Sequence, residues 1–197
     1  MKKGNIILLA IAGVILFIGL SFAGGYNELV RLEERVSAAW AQVENVYQRR
    51  LDLIPNLVET VKSYASHESE TLQAVVEARA KATSTTINAS TMTDPEQFAK
   101  FQQSQTALSG ALGRLLAVAE NYPDLKANQN FLELQAQLEG TENRIAVERG
   151  RFNEAAQAFN TRLRQFPTNL LAGWFGFKSK QYFQADAAAQ TVPKVKF

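Results

Sequence analysis

A chain of 197 residues, 46% hydrophobic and 20% charged, carries enough apolar material for one sizeable domain and excludes a large multidomain enzyme. Its 21 Lys and Arg against 19 Asp and Glu leave a formal charge of +2, and Lys2 and Lys3 supply that surplus; the body is neutral and lacks the basic face that nucleic-acid binding requires. Zero Cys removes disulfides, thiolate metal sites and Cys nucleophiles, and the single His67 leaves almost no imidazole chemistry.

Residues 6–24, IILLAIAGVILFIGLSFAG, contain no charge. As a helix this run is about 28 Å long, close to the hydrocarbon thickness of a bilayer. Backbone groups in lipid must pair internally, so the run is expected to cross once as a helix despite Gly13 and Gly19. A cleaved signal peptide is the rival reading, because Lys2-Lys3, the apolar stretch Ile6 to Leu20 and Ser21-Phe22-Ala23 mimic its three regions. The uncharged run continues past that cut and favours an anchor. Basic residues before the span, against Arg31 and Arg35 just after it, place the N-terminus in the cytoplasm and the body outside.

Between Gly25 and Gly110 there is no glycine, and apolar residues recur every three or four positions from Leu29 through Trp40, Tyr47 and Val61 to Leu72 and Val75, with one longer polar gap. This predicts a helix carried for most of 60 residues. Pro55 removes an amide donor, so the helix is expected to kink there, with reversal of the chain as the alternative. A kinked continuation sends the legs out, back and out, leaving Trp174 far from the anchor; reversal at Pro55 adds a leg and returns the tail to the membrane.

Residues 81–93 read as a Ser/Thr-rich loop containing the acceptor-like triplet Asn88-Ala89-Ser90. A second helix opens at Thr93-Asp94-Pro95, with either polar residue able to cap it, and its stripe runs Phe98, Phe101, Gln105, Leu108, Leu112, Leu115. A third begins after Asn128 and places Phe131, Leu138, Ile145, Phe152, Phe159 and Phe166 at sevenfold spacing, the seam of a bundle. Aromatic residues in such register serve packing.

The expected fold is all-α: an N-terminal transmembrane helix and an elongated antiparallel bundle of three long helices, the first kinked at Pro55, or four if Pro55 divides it, with a short C-terminal aromatic segment. The expected domains are an anchor at 1–25, the bundle at 26–167 and an aromatic, basic tail at 168–197. Within the tail, Trp174, Phe175, Phe177, Lys178, Lys180, Tyr182 and Phe183 suit a membrane interface or a protein contact; the alternative is a hydrophobic cap on one bundle end.

No phosphate loop, nucleophile elbow, HExxH or dinucleotide fingerprint is present, and a carboxylate-bridged metal site lacks its histidines, so no cofactor, metal or small-molecule substrate is indicated. The conspicuous polar cluster surrounds Pro55: Arg49, Arg50, Asp52, Asn56 and Glu59. Arg50 falls in the apolar stripe and needs a partner if buried, either Asp52 or a carboxylate on another helix. The cluster is either a recognition surface or a hydrogen-bonded device that fixes the bend.

The chain resembles the LemA family of bacterial membrane-associated proteins. The resemblance rests on Tyr26-Asn27, Trp40, Gln42-Val43-Glu44, RRLDLIPNLVETVKSYASHE at 49–68, Arg79, LGRL at 112–115 and ENYPDLKANQNF at 120–131. It continues with LEGTENRIAVERGRFNEA at 138–155, FNTRLRQFP at 159–167, GWFGF at 173–177 and PKVKF at 193–197. The resemblance implies an uncleaved anchor and a helical bundle, and carries no catalytic residue onto any position. The reading that follows is a non-enzymatic, single-pass envelope protein, held in the bilayer by residues 6–24, whose bundle binds a protein partner or further copies of itself. The alternatives are an enzyme or enzyme regulator using Arg49, Arg50, Asp52 and Glu59, and a lipid-binding bundle acting through 170–183.

Overall fold

The striped run after the anchor folds as helix, but in two pieces rather than one. The computed structural model describes residues 3–84 and 91–184, which leaves Asn88-Ala89-Ser90 and the block 193–197 outside the described residues. Among the described residues every regular element is a helix: α1 Lys3–Tyr64, α2 Ser69–Ser84, α3 Pro95–Ala119, α4 Pro123–Lys126, α5 Gln129–Arg164 and α6 Thr168–Phe175. With 62 residues α1 is about 93 Å long, and its N-terminal part is apolar on all sides and exposed, with Val14, Ile15, Leu16, Phe17 and Leu20 all uncovered.

Pro55 sits inside α1 without ending it. Its missing N–H strips Leu51, four residues earlier, of a helical donor. Arg79 of α2 supplies one, its Nε donating to the Leu51 carbonyl at 3.0 Å. The proline therefore creates the acceptor on which α2 docks. Arg79→Ala is expected to lower stability by about 1–3 kcal/mol by stranding that carbonyl, and by less in a Pro55→Ala background, where the backbone N–H regained at position 55 satisfies it. A urea-melt double-mutant cycle measures this; equal costs in both backgrounds would mean that Arg79 acts elsewhere.

The reversal comes at Ala65–Glu68. The polar gap in the stripe is thus a turn, and Leu72 and Val75 belong to a second helix rather than to a continuation of the first. Here the amide of Glu68 donates to the Ala65 carbonyl at 3.1 Å, and that of Leu72 to the Glu68 carbonyl at 3.0 Å. The turn contains neither Gly nor Pro, so none of the strongest local punctuation marks it.

Asp94 caps α3 by accepting from the amides of Glu96 and Gln97, and the Gln97 bond in particular holds its carboxyl below the usual range. Asn128 caps α5 through the Phe131 amide. Tyr64 meets Asn128 and Arg50 meets Glu142, a step of fourteen residues on each helix, so α1 and α5 lie antiparallel and in register. The seam on α5 buries Phe131, Leu138, Ile145, Phe152 and Phe159. Phe166 departs from the expected seam and is 79% exposed, because α5 ends at Arg164 and the helical register ends with it.

The core has two parts. The distal one joins Ile54, Leu57 and Val61 to Val75 of α2, Leu115 of α3 and Phe131 of α5. The anchor-proximal one joins Leu29, Val36 and Trp40 to Phe98, Phe152 and Phe159. At 16 residues, or about 24 Å, α2 covers the distal part alone. Over the proximal part its place is taken by the segment after α6, which inserts Phe183 among those rings.

The legs run out, back, out and back. Although α1 passes through Pro55, the additional turn at 65–68 brings α6 to the anchor-proximal end, where Phe175 lies 4.8 Å from Tyr26 between ring centroids. The expectation that a continuous α1 leaves Trp174 far from the anchor is therefore corrected.

Candidate functional site

Arg50 is the most deeply buried charge in the described chain, 1% exposed and near the junction of the two core parts. Its Nη1 donates to Glu142 Oε1 at 2.9 Å and to Ser109 Oγ at 2.8 Å, and its Nη2 to the side-chain oxygen of Gln105. The guanidinium also lies 5.0 Å from the centre of the Tyr47 ring. One side chain of α1 thereby ties α3 to α5, with the carboxylate on another helix as its partner. Asp52 instead accepts from Gln48, one turn back along α1, at 2.7 Å.

The remaining groups around Pro55 do not converge on Arg50. Arg49, Asp52 and Pro55 are exposed, while Asn56 and Glu59 line a different groove of about 390 Å³ with Asn130 and Glu133 of α5. The hollow beside Arg50 holds about 140 Å³ and is bordered by Tyr47, Gln105, Glu142 and Arg149. It brings no hydroxyl together with a histidine. Among the described residues no three His, Asp or Glu side chains gather as metal ligands would.

The tail forms a second polar structure. Asn160 accepts the Lys180 amide at 2.8 Å and donates to the Lys180 carbonyl at 2.8 Å; Asn153 does the same for Phe183, both at 2.9 Å. Seven residues of helix span about 10.5 Å and three of extended chain about 10 Å, so two turns of α5 match the stride of the tail. Gln102 of α3 donates to the Gln184 carbonyl at 2.9 Å, and the Gln181 amide reaches the Met92 carbonyl at 2.8 Å. Side-chain amides act here as the neighbouring strand that the helices cannot supply.

This clamp divides the aromatic and basic residues of the tail. Phe183 is buried against Trp40, Phe98 and Phe152, and Phe177 packs between Tyr26 and Phe159. Lys180 is buried, its Nζ donating to Glu33 at 2.6 Å and lying 5.1 Å from the centre of the Phe159 ring. Tyr182 is partly exposed, with its hydroxyl on Asn160. Lys178, Trp174 and Phe175 face outward.

At the far end, Tyr122 donates its hydroxyl to Glu68 at 3.0 Å, and this bond raises the pKa of the phenol above its ordinary value. His67 and Glu68 lie in the turn between α1 and α2 rather than inside a helix.

Glu142, Ser109, Asn153, Asn160 and Glu33 are residues that motif reasoning passes over. A signal existed for one node: Arg50 and Gln105 are polar residues standing in two apolar stripes, and they meet.

Residues 39–197 match the LemA family. The chain is 27% identical over 202 residues to magnetosome protein MamQ 2 of Paramagnetospirillum magneticum, an alignment covering 94% of this chain and 74% of that protein. It is 26% identical over 182 residues to magnetosome protein MamQ of Magnetospirillum gryphiswaldense, covering 84% and 67%. It is 24% identical over 173 residues to Protein LemA of Metamycoplasma hominis, covering 88% and 74%.

Proposed function

Because the chain belongs to the LemA family, we propose that it is a non-enzymatic, membrane-anchored envelope protein that presents its helical bundle to a protein partner or to further copies of itself. In this reading residues 1–25 are the anchor, with the N-terminus in the cytoplasm. Residues 26–167 are the bundle outside, and 168–197 the tail whose first part packs back onto it. The observation that carries the reading is the fate of the polar groups around Pro55: Arg50 turns inward onto Gln105, Ser109 and Glu142, while Arg49, Asp52 and Glu59 stand apart on the surface. A hydrolase needs its acid and base at mutually usable distance around one substrate; here Glu59 and Arg50 line different hollows, and Arg49 and Asp52 line neither of these two. Relatives named as magnetosome proteins align over most of this chain, which supports a bundle that serves different settings through its surface.

The chain has no native cysteine, so Glu59→Cys places a single thiol on an exposed position of the full-length protein. In intact cells a membrane-impermeant maleimide is expected to label it, and a bifunctional crosslinker to capture a reproducible neighbour or a second copy. Labelling only after lysis would reverse the orientation. A strict monomer, with no reproducible crosslink from there or from a thiol at exposed Val76 or Val147, would remove the interaction role.

A further inference from the structure

We propose that α6 is a second membrane contact, a foot that rests on the lipid surface at the mouth of the anchor. Apolar side chains left in water on a packed domain mark a surface that something covers. On α6 and the residue pair before it, Phe166 is 79%, Leu170 49%, Trp174 81% and Phe175 59% exposed; Thr168 and Ala172, across the helix from Leu170 and Trp174, are buried. Leu170 and Trp174 are one turn apart and share a face. The helix itself, TNLLAGWF, carries no charge.

Position identifies the occupant. Phe175 lies 4.8 Å and Phe177 5.8 Å from Tyr26 between ring centroids. Tyr26 stands two residues beyond the uncharged run that ends at Gly24, about 3 Å along α1. When the run occupies the hydrocarbon, Tyr26 sits among the headgroups, and α6 beside it is held at the same depth. That depth is where Trp and Tyr concentrate, since the ring is apolar and the N–H or O–H stays wet. Residues 161–178 contain Arg162, Arg164 and Lys178 and no acidic residue, so the foot itself brings no carboxylate to repel the phosphates of the headgroups. Two contacts, a rod through the bilayer and a foot on it, would restrict the tilt of the bundle that a single rod leaves free.

The inference rests on the anchor reading but is independent of any protein partner. The test uses the full chain in vesicles of phosphatidylethanolamine and phosphatidylglycerol. Trp40 is buried in the core and Trp174 exposed, so the wild-type emission minus that of Trp174→Phe isolates Trp174 without disturbing the fold. Flotation reports the anchor. Lipids brominated near the headgroup are expected to remove most of the Trp174 emission, lipids brominated deep in the chain to remove less, and the emission to shift to the blue relative to detergent-free indole in water. Three results would each overturn the foot: quenching by aqueous iodide with no response to brominated lipid, shielding from both quenchers, which indicates a protein cover, and failure to float, which removes the anchor as well.

Discussion

Arg50→Ala is expected to lower the unfolding free energy of the bundle by about 3–5 kcal/mol, the range for breaking a buried charge pair from one side. Surface ion pairs contribute about 0–1 kcal/mol, so the size of the loss separates the two situations. Arg50 belongs to the buried class: it is 1% exposed, and its removal strands the carbonyl of buried Gln105 and empties the space between α1, α3 and α5. Glu142 is a weaker lever, because its side chain is 39% exposed and water can take over its oxygens. Glu142→Gln keeps an acceptor in place and is expected to cost less, about 1–2 kcal/mol. Arg50→Met fills the volume but leaves Gln105 and Glu142 without their donor, so it is expected to recover only the part of the loss that comes from the emptied space. Urea melts followed by far-UV circular dichroism give the order. A loss below about 1 kcal/mol for Arg50→Ala would assign the contact to the surface class and discard its role as the tie between helices.

The same contact shows how far the sequence can be read. Spacing of three and four placed Arg50 within an apolar stripe, and a buried guanidinium requires acceptors; both follow from residues near position 50. That the acceptor is Glu142 does not, because 92 residues separate them and only the antiparallel register of α1 and α5 brings them together. Local signals did well wherever the cause was local. Asp94 and Pro95 open α3 as a capping residue and a first-turn proline should, and the five sevenfold positions that fall on α5 are all buried. They left alternatives open where a residue permits more than one outcome. Proline can bend, end or decorate a helix; at position 55 α1 runs on, the expected outcome, and the donor lost to Leu51 is supplied by Arg79, which no signal local to position 55 shows. The turn at 65–68 was visible as a gap in the stripe, yet Ala-Ser-His-Glu has no residue that requires a turn conformation, so a polar face and a reversal looked alike.

The tail was the least legible part, for a physical reason. Residues 177–184 make no regular element, and their course depends on Asn153, Asn160 and Gln102, whose amide side chains have no signature in a periodicity reading. Composition alone showed aromatic and basic residues and could not separate those that face the core from those that face out. The structure separates them along the chain: Trp174 and Phe175 outward on α6, then Lys180 and Phe183 inward beneath the clamp.

That inward half carries the second large effect. Phe183→Ala is expected to destabilise the anchor-proximal half of the bundle by about 3–5 kcal/mol, the cost of emptying a buried aromatic site. The ring stacks on Trp40 at 6.0 Å and approaches Phe98 at 4.9 Å, Phe152 at 5.5 Å and Phe101 at 6.3 Å, so its loss opens a cavity bordered by four other large rings. Collapse is restricted on every side. Trp40 is fixed on α1, Phe98 on α3 and Phe152 on α5, and α2 ends too early to move into the gap. Hydrogen exchange on the full chain locates the damage: the amides of Lys180, Gln181 and Phe183, now bonded to Asn160, Met92 and Asn153, should lose protection first. Amides around Leu115 and Phe131, in the distal core, should change less, because no ring of the proximal cluster reaches them. A stability loss below about 1 kcal/mol, the scale of a surface substitution, would show that the tail lies on the bundle without completing its core.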